Sequence, residues 1–314
     1  MGLDQGPWLV CGDETIRPCL AAPGWVAFRL MLPLGGVRLY APVFRAPGDA
    51  RRLGFAVQGL EVLTAGARRH WAPSEMGLAE GFHAEETGGW RWTDGDALLP
   101  DGLFAGVRGP ALLVVRGFGA VAPESSHGVA FMAGDSHPMD SHVEAHLLRK
   151  LHPFPGDDLV RQADMLATAD GSTRVNLGLR QARLGEAVQG WRGARVLVGR
   201  ASGARMATLF AARHGAAAVV CLGYPFQPLN GAHEPERYAH LARIEVPVLI
   251  VQGRGDPYGG EEAVARVALS PRVRVRWVDA AHEFHLDEDG WDAVAREVLL
   301  FVAETVKERE EVLF

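Results

Sequence analysis

Three short segments hold the residues of this chain that could do chemistry together. In Ala194-Arg-Val-Leu-Val-Gly-Arg-Ala-Ser-Gly-Ala-Arg-Met-Ala207 an apolar run enters a turn flanked by Gly199 and Gly203 and leaves it in an alanine-rich helix. Glycines two before and two after a central residue mark a sharp strand-to-helix elbow, where the backbones pass too closely for a Cβ and a serine is presented as nucleophile. Here the central residue is Ala201. Ser202 follows, but a register on Ser202 would put Arg200 and Ala204 at the small positions. Downstream, the run Pro247-Val-Leu-Ile-Val-Gln-Gly253 leads into Arg-Gly-Asp256, and the run Val273 to Asp279 leads into Ala-Ala-His282. If these runs are strands of one parallel sheet, their C-terminal ends share an edge. His282 is then the general base and Asp256 the group that fixes its tautomer. The catalytic candidates are Ala201, Ser202, Asp256 and His282.

The elements that must position these residues belong to two different patterns. Up to about residue 122, short extended runs alternate with Gly, Pro and Asp: Trp25 to Leu32, Val37 to Phe44, Leu53 to Leu63, Trp90 to Leu99 and Ala111 to Arg116. Their alternation and β-branched or aromatic content predict strands, hence an all-β sandwich over residues 1–122. From about residue 126 apolar runs alternate with helical stretches, which predicts a parallel sheet flanked by helices over residues 126–314. The strands are expected at Val129 to Ala133, Leu159 to Ala163, Arg195 to Gly199, Ala217 to Leu222, Pro247 to Gln252 and Val273 to Asp279. Helices are expected at His142 to Leu151, Arg174 to Gln189, Ala204 to His214, Glu261 to Ala268 and from Trp291 onward. In the last, Trp291, Val294, Val298, Val302 and Val306 fall at spacings of three and four, enough to cover one sheet face. The Pro/Glu/Ser stretch from Val121 to His127 reads as a linker.

The stretch from about Val129 to Phe301 resembles an α/β-hydrolase of the dienelactone-hydrolase-related group. That group carries sequences like HGAGAPMDS, GRSMGGR, GYP, VPxLxVQGxxDPxG and DHSF. The corresponding segments here are Ala133-Gly-Asp-Ser-His-Pro-Met-Asp-Ser141, Gly199-Arg-Ala-Ser-Gly-Ala-Arg205, Gly223-Tyr-Pro225, Val246-Pro-Val-Leu-Ile-Val-Gln-Gly-Arg-Gly-Asp-Pro-Tyr-Gly259 and Ala281-His-Glu-Phe284. The resemblance implies that Asp256 is the acid, His282 the base and Ala201 the nucleophile position, with Gly134, Asp135 and Tyr224 lining the substrate site. Two departures stand out: Ala201 replaces the serine, and Ala133 replaces the histidine that opens the oxyanion loop. Without a hydroxyl or thiol at the elbow there is no covalent acyl-enzyme route. The resemblance therefore implies a fold of esterase ancestry that is non-catalytic or impaired and binds a small or glycan-like ligand, or a partner. An engineered Ser→Ala change and a rewired chemistry are the competing explanations, the latter including an active carboxylic-ester hydrolase built on Ser202, Asp256 and His282.

Other groupings point elsewhere. Gly134-Asp-Ser136 with Asp279-Ala-Ala-His282 also spells the blocks of another esterase group with Ser136 as nucleophile, a reading that competes with the oxyanion-loop match. Asp135, His137, Asp140, His142, Glu144, His146 and His152 crowd one segment, and histidines one turn apart can bind a metal. A solvated helix face accounts for that spacing equally, and neither metal nor cofactor is expected. In the first half, Trp90 and Trp92, with Asp49 to Gly54 and Gly81 to Glu86, resemble a small β-module that accompanies some bacterial glycosyltransferases. That implies stacking on sugar rings, the alternative being a packed seam.

Composition bounds these readings. A chain of 314 residues with 48% hydrophobic and 22% charged residues buries a sizeable core and is not disordered. A net charge of −6 gives no overall attraction to nucleic acid or anionic membranes. Only Lys150 and Lys307 of the 32 basic residues are lysines, and the arginines are scattered as a GC-rich genome would scatter them. Cys11, Cys19 and Cys221 form no CxxC pair, there is no leader-like N-terminus, and no apolar run approaches a membrane span, so a cytoplasmic protein is expected. The sequence sets no oligomeric state.

Overall fold

The computed structural model describes residues 6–76, 79–134, 141–151, 158–161, 177–191 and 193–311. The chain divides into two compact units, Met1–Ser126 and His127–Phe314.

The first unit is all-β. Strands β1 (Trp8–Cys11), β2 (Glu14–Ile16), β3 (Leu20–Ala22), β4 (Trp25–Leu32), β5 (Arg38–Tyr40), β6 (Ala56–Leu63), β7 (Arg68–Trp71), β8 (Phe82–Glu85), β9 (Arg91–Thr93), β10 (Asp96–Leu98) and β11 (Gly109–Phe118) form two antiparallel sheets. One runs β10-β5-β1-β2; the other runs β3-β4-β11-β6-β9-β8, with β7 also beside β6. Alternation places Leu9, Leu39 and Ala97 of the first sheet in one apolar cluster with Phe28, Leu60, Val62, Leu113 and Val115 of the second. Each such buried side chain contributes about 1.5–3 kcal/mol over its exposed state.

Two expectations for this unit change. The run from Trp90 to Leu99 is two strands in different sheets, because Gly95 turns the chain at a φ of 104°. The run from Leu53 begins pairing as a strand only at Ala56. Gly54 is wedged against Gly95, where a Cβ would stand 2.9 Å from backbone atoms, and Thr93 Oγ1 accepts the Phe55 N–H at 2.9 Å.

The second unit is a six-stranded parallel sheet in the order β13-β12-β14-β15-β16-β17. Its strands are β12 (His127–Met132), β13 (Asp158–Arg161), β14 (Ala194–Arg200), β15 (Ala218–Leu222), β16 (Val248–Gly253) and β17 (Val273–Val278). The helices are α1 (Ser141–Lys150), α2 (Leu177–Ala187), α3 (Ser202–His214), α4 (Glu261–Ala265) and α5 (Glu288–Glu311). Central strands β12, β15 and β16 are buried along their whole length, as parallel strands covered on both faces must be. One face packs Leu184 and Val188 around α2 with Met206, Ala207 and Phe210 of α3 onto Leu197, Val219 and Ile250. The stripe Trp291, Val294, Val298, Val302 and Val306 is buried, and α5 packs on β15 and β16. Among the described residues β17 has a strand partner on one side only, and its Arg274 reaches Glu304 of α5 through both carboxylate oxygens. No helix of the described residues is long and apolar enough to cross a membrane.

Candidate functional site

The site lies at the C-terminal ends of β14, β16 and β17. At the end of β14 the chain turns on Ala201, which takes φ 50° and ψ −118°, and α3 begins at Ser202. The elbow can be this tight because of its two glycines. A Cβ on Gly199 would lie 2.4 Å from Ala204 Cα, and one on Gly203 would lie 2.1 Å from the Met132 carbonyl oxygen. The Ala201 N–H donates to Leu222 O at 3.0 Å, tying the turn to β15. Among the described residues only Ala201 and Phe284 combine a side chain with a positive φ, and Phe284 lies two residues after His282. Such backbone costs about 1–3 kcal/mol each and persists where the surroundings force it. Here both instances flank one imidazole.

Asp256 follows β16 and is buried. Its Oδ2 accepts from His282 Nδ1 at 2.9 Å and from Gln252 Nε2 at 2.9 Å, while its Oδ1 accepts the Tyr258 N–H at 2.8 Å. Gln252 is oriented in turn by the Tyr224 N–H, which donates to its Oε1 at 2.8 Å. The turn carrying His282 comes this close because Gly253 has no side chain: a Cβ there would be 2.4 Å from Ala280 O. Tyr258 covers the imidazole, with ring centroids 4.3 Å apart.

Arg200, fully buried in the strand just before the elbow, completes the arrangement. Its guanidinium donates to the His282 carbonyl, approaches His282 Nε2 at 3.3 Å and lies over the Phe284 ring at 5.5 Å. A guanidinium can only donate and a carboxylate can only accept, so His282 carries its hydrogen on Nδ1 and turns the Nε2 lone pair toward Arg200. That lone pair is the one a nucleophile's hydroxyl would use.

The remaining expected site residues are dispersed. Ser202 Oγ accepts from Arg180 Nη1 at 3.1 Å, and the same buried guanidinium donates to the Ala133 carbonyl, linking α2, the end of β12 and the elbow. Gly134 is buried just beyond β12. Asp135 lies outside the described residues, as do Ser136, His137, Asp140 and His152. Tyr224 is buried in the core of the second unit, where its hydroxyl donates to Arg237 O at 2.6 Å and burial raises the phenol above its ordinary range. Trp90 and Trp92 are in the first unit. Each meets Phe118 edge-on, at 5.4 and 5.3 Å, and Trp92 meets Phe44 at 5.5 Å, so the rings are spent largely on one another.

His142 and His146 have separate partners: the former's Nε2 lies 2.8 Å from Glu283 O, and the latter stacks on Trp291 at 5.3 Å. Among the described residues no three His, Cys, Asp or Glu side chains are grouped to hold a metal ion.

Residues that the sequence reading passed over are Arg200, Arg180 and Gln252. The signal for Gln252 was its position as the polar member of the otherwise apolar run Val248 to Val251. The two arginines gave none, since their burial is not written in composition.

Residues 177–306 match the model of a family described as an alpha/beta hydrolase domain. With the parallel sheet, the flanking helices and the elbow, this makes the second unit an α/β-hydrolase fold. Solved structures similar to the chain include an alpha-beta serine hydrolase homologue from Coxiella burnetii, at 22% identity and a TM-score of 0.42, covering 55% of this chain and 83% of that one. A member of the a/b serine hydrolases without lid from Xanthomonas campestris shares 18% identity at a TM-score of 0.40, over 54% of this chain and 79% of that one. Est1E from Butyrivibrio proteoclasticus shares 14% at 0.42, over 58% and 88%. No curated protein matches the chain at a significant level.

Proposed function

We propose that this protein is an α/β-hydrolase-fold protein of esterase or dienelactone-hydrolase ancestry that has lost the acyl-enzyme route and binds a small organic ligand at the former active-site cleft. The observation that carries this reading is a methyl group at the elbow: Ala201 takes the turn conformation between Gly199 and Gly203. Nothing at that position can form a covalent intermediate. The reading with Ser202 as nucleophile would require its hydroxyl to leave Arg180 and the first position of α3. The edge-on contacts of Trp90 and Trp92 favour packing over sugar stacking for the first unit. The free thiols of Cys11, Cys19 and Cys221 suit a reducing compartment, and we place the protein in the cytoplasm.

The test is labelling with a fluorophosphonate probe, read by intact mass and peptide mapping, on the protein and on Ala201→Ser. The expected result is an unlabelled parent and a variant labelled at position 201. Labelling of the parent at Ser202 or Ser136 would overturn the proposal.

A further inference from the structure

We propose that Asp256 and His282 act as a general base on water, so that the cleft hydrolyses activated acyl compounds slowly and without a covalent intermediate. This rests on the reading of Ala201 as a nucleophile position without a nucleophile, and it names the chemistry left when the serine is gone.

Three observations carry it. The dyad is fully assembled: Asp256 is held by Gln252 and the Tyr258 N–H, and its Oδ2 fixes the Nδ1–H tautomer of His282 at 2.9 Å. Nε2 keeps its lone pair, and its 3.3 Å contact with Arg200 is longer than the usual 2.9–3.0 Å of such bonds, so a water proton competes for it. The arrangement is also open where it matters. Arg200 and Asp256 are buried, whereas 15% of the His282 side chain is exposed and the Ala201 methyl is 9% exposed. Two strained residues, Ala201 and Phe284, hold this geometry.

Each step balances without another reactant. A water O–H gives its proton to His282 Nε2 while its oxygen bonds to the acyl carbon, and the carbonyl electron pair moves onto oxygen. That oxyanion forms at the N-terminal end of α3, which begins at Ser202 and favours negative charge. Collapse re-forms the carbonyl and breaks the bond to the leaving alkoxide or phenolate, which takes the proton back from His282. The sum is ester plus water giving acid plus alcohol. Positioned general bases contribute about 10²–10⁴-fold.

The experiment follows hydrolysis of 4-nitrophenyl acetate by the full chain, by His282→Gln and by Asp256→Asn, with folding of each checked by circular dichroism. The expected result is a rate that drops about 10²-fold in His282→Gln, falls also in Asp256→Asn, shows no burst and is insensitive to prior fluorophosphonate treatment. The remaining histidines, present in every variant, set the background. Equal rates in the parent and both folded variants would overturn the inference while leaving the non-covalent reading of Ala201 standing. A burst, or inhibition by the fluorophosphonate, would overturn both.

Discussion

Each unit of the molecule buries a carboxylate, and the two are used differently. Glu61 of β6 is held from both sides, by Arg68 at 2.7 Å and by Arg116, and its neighbours end in ordinary ion pairs. Asp256 has no cation in direct contact among its described partners; it accepts from an amide, a backbone N–H and an imidazole, and the imidazole reaches solvent. A carboxylate closed by two guanidiniums stabilises a sheet face. One that ends in a partly exposed base can pass its influence to something outside the protein. Buried charge alone therefore says little about function; where the chain of hydrogen bonds ends says more.

The largest effect that would sharpen this contrast is Ala201→Ser. Adding one oxygen at the elbow is expected to turn fluorophosphonate labelling from background to a rate at least about 10²-fold higher, measured by mass spectrometry. In that background Asp256→Asn should lower the labelling rate by about 10²-fold or more, at a stability cost of only about 1–2 kcal/mol in urea melts. Glu61→Ala should do the reverse. Leaving two guanidiniums beside an emptied buried site is expected to cost about 3–5 kcal/mol while the labelling rate stays unchanged. If Asp256→Asn unfolds the protein, or Glu61→Ala slows labelling, the contrast fails.

A smaller effect is set by pH. Burial lowers His127, at the start of β12, to about 4, and burial with the nearby Arg205 and Arg213 lowers His240 to about 4. Both are neutral in the fold and take up protons more readily when unfolded, where the ordinary value is about 6.5. Their neutral forms thus support stability fully above about pH 6.5, and that support is lost as pH falls toward 4. His127 accounts for about 3 kcal/mol of it at most. Urea midpoints at pH 7 and 5 should differ, and His127→Leu should narrow the difference. The smallest effect is expected from Trp92→Ala, which removes two edge-on ring contacts and costs about 1–2 kcal/mol by thermal melting.

The legible part of this site was the part that sterics impose. Gly199 and Gly203 stand out because a Cβ at either would collide with backbone, and the same necessity holds Gly253 against the turn before His282. Central strands such as Ala218–Leu222 were visible because parallel strands are apolar throughout. Short strands such as Glu14–Ile16 and Arg68–Trp71 were not, being exposed, brief and interrupted by charge. Arg200 and Arg180 escaped notice because an arginine sealed in the interior has the same letter as one on the surface. What distinguishes them is the carbonyls of His282 and Ala133, which only the folded chain brings within reach.

The outermost strand of the parallel sheet has a further consequence. β17 alternates valine and tryptophan with Arg274 and Arg276, one pinned to Glu304 and both exposed. A strand whose free backbone edge is studded with guanidiniums repels a second copy approaching in register. The colloidal behaviour of the protein at high concentration is thus set far from its cleft, and exchanging Arg276 for valine would favour edge-to-edge assembly without touching the chemistry.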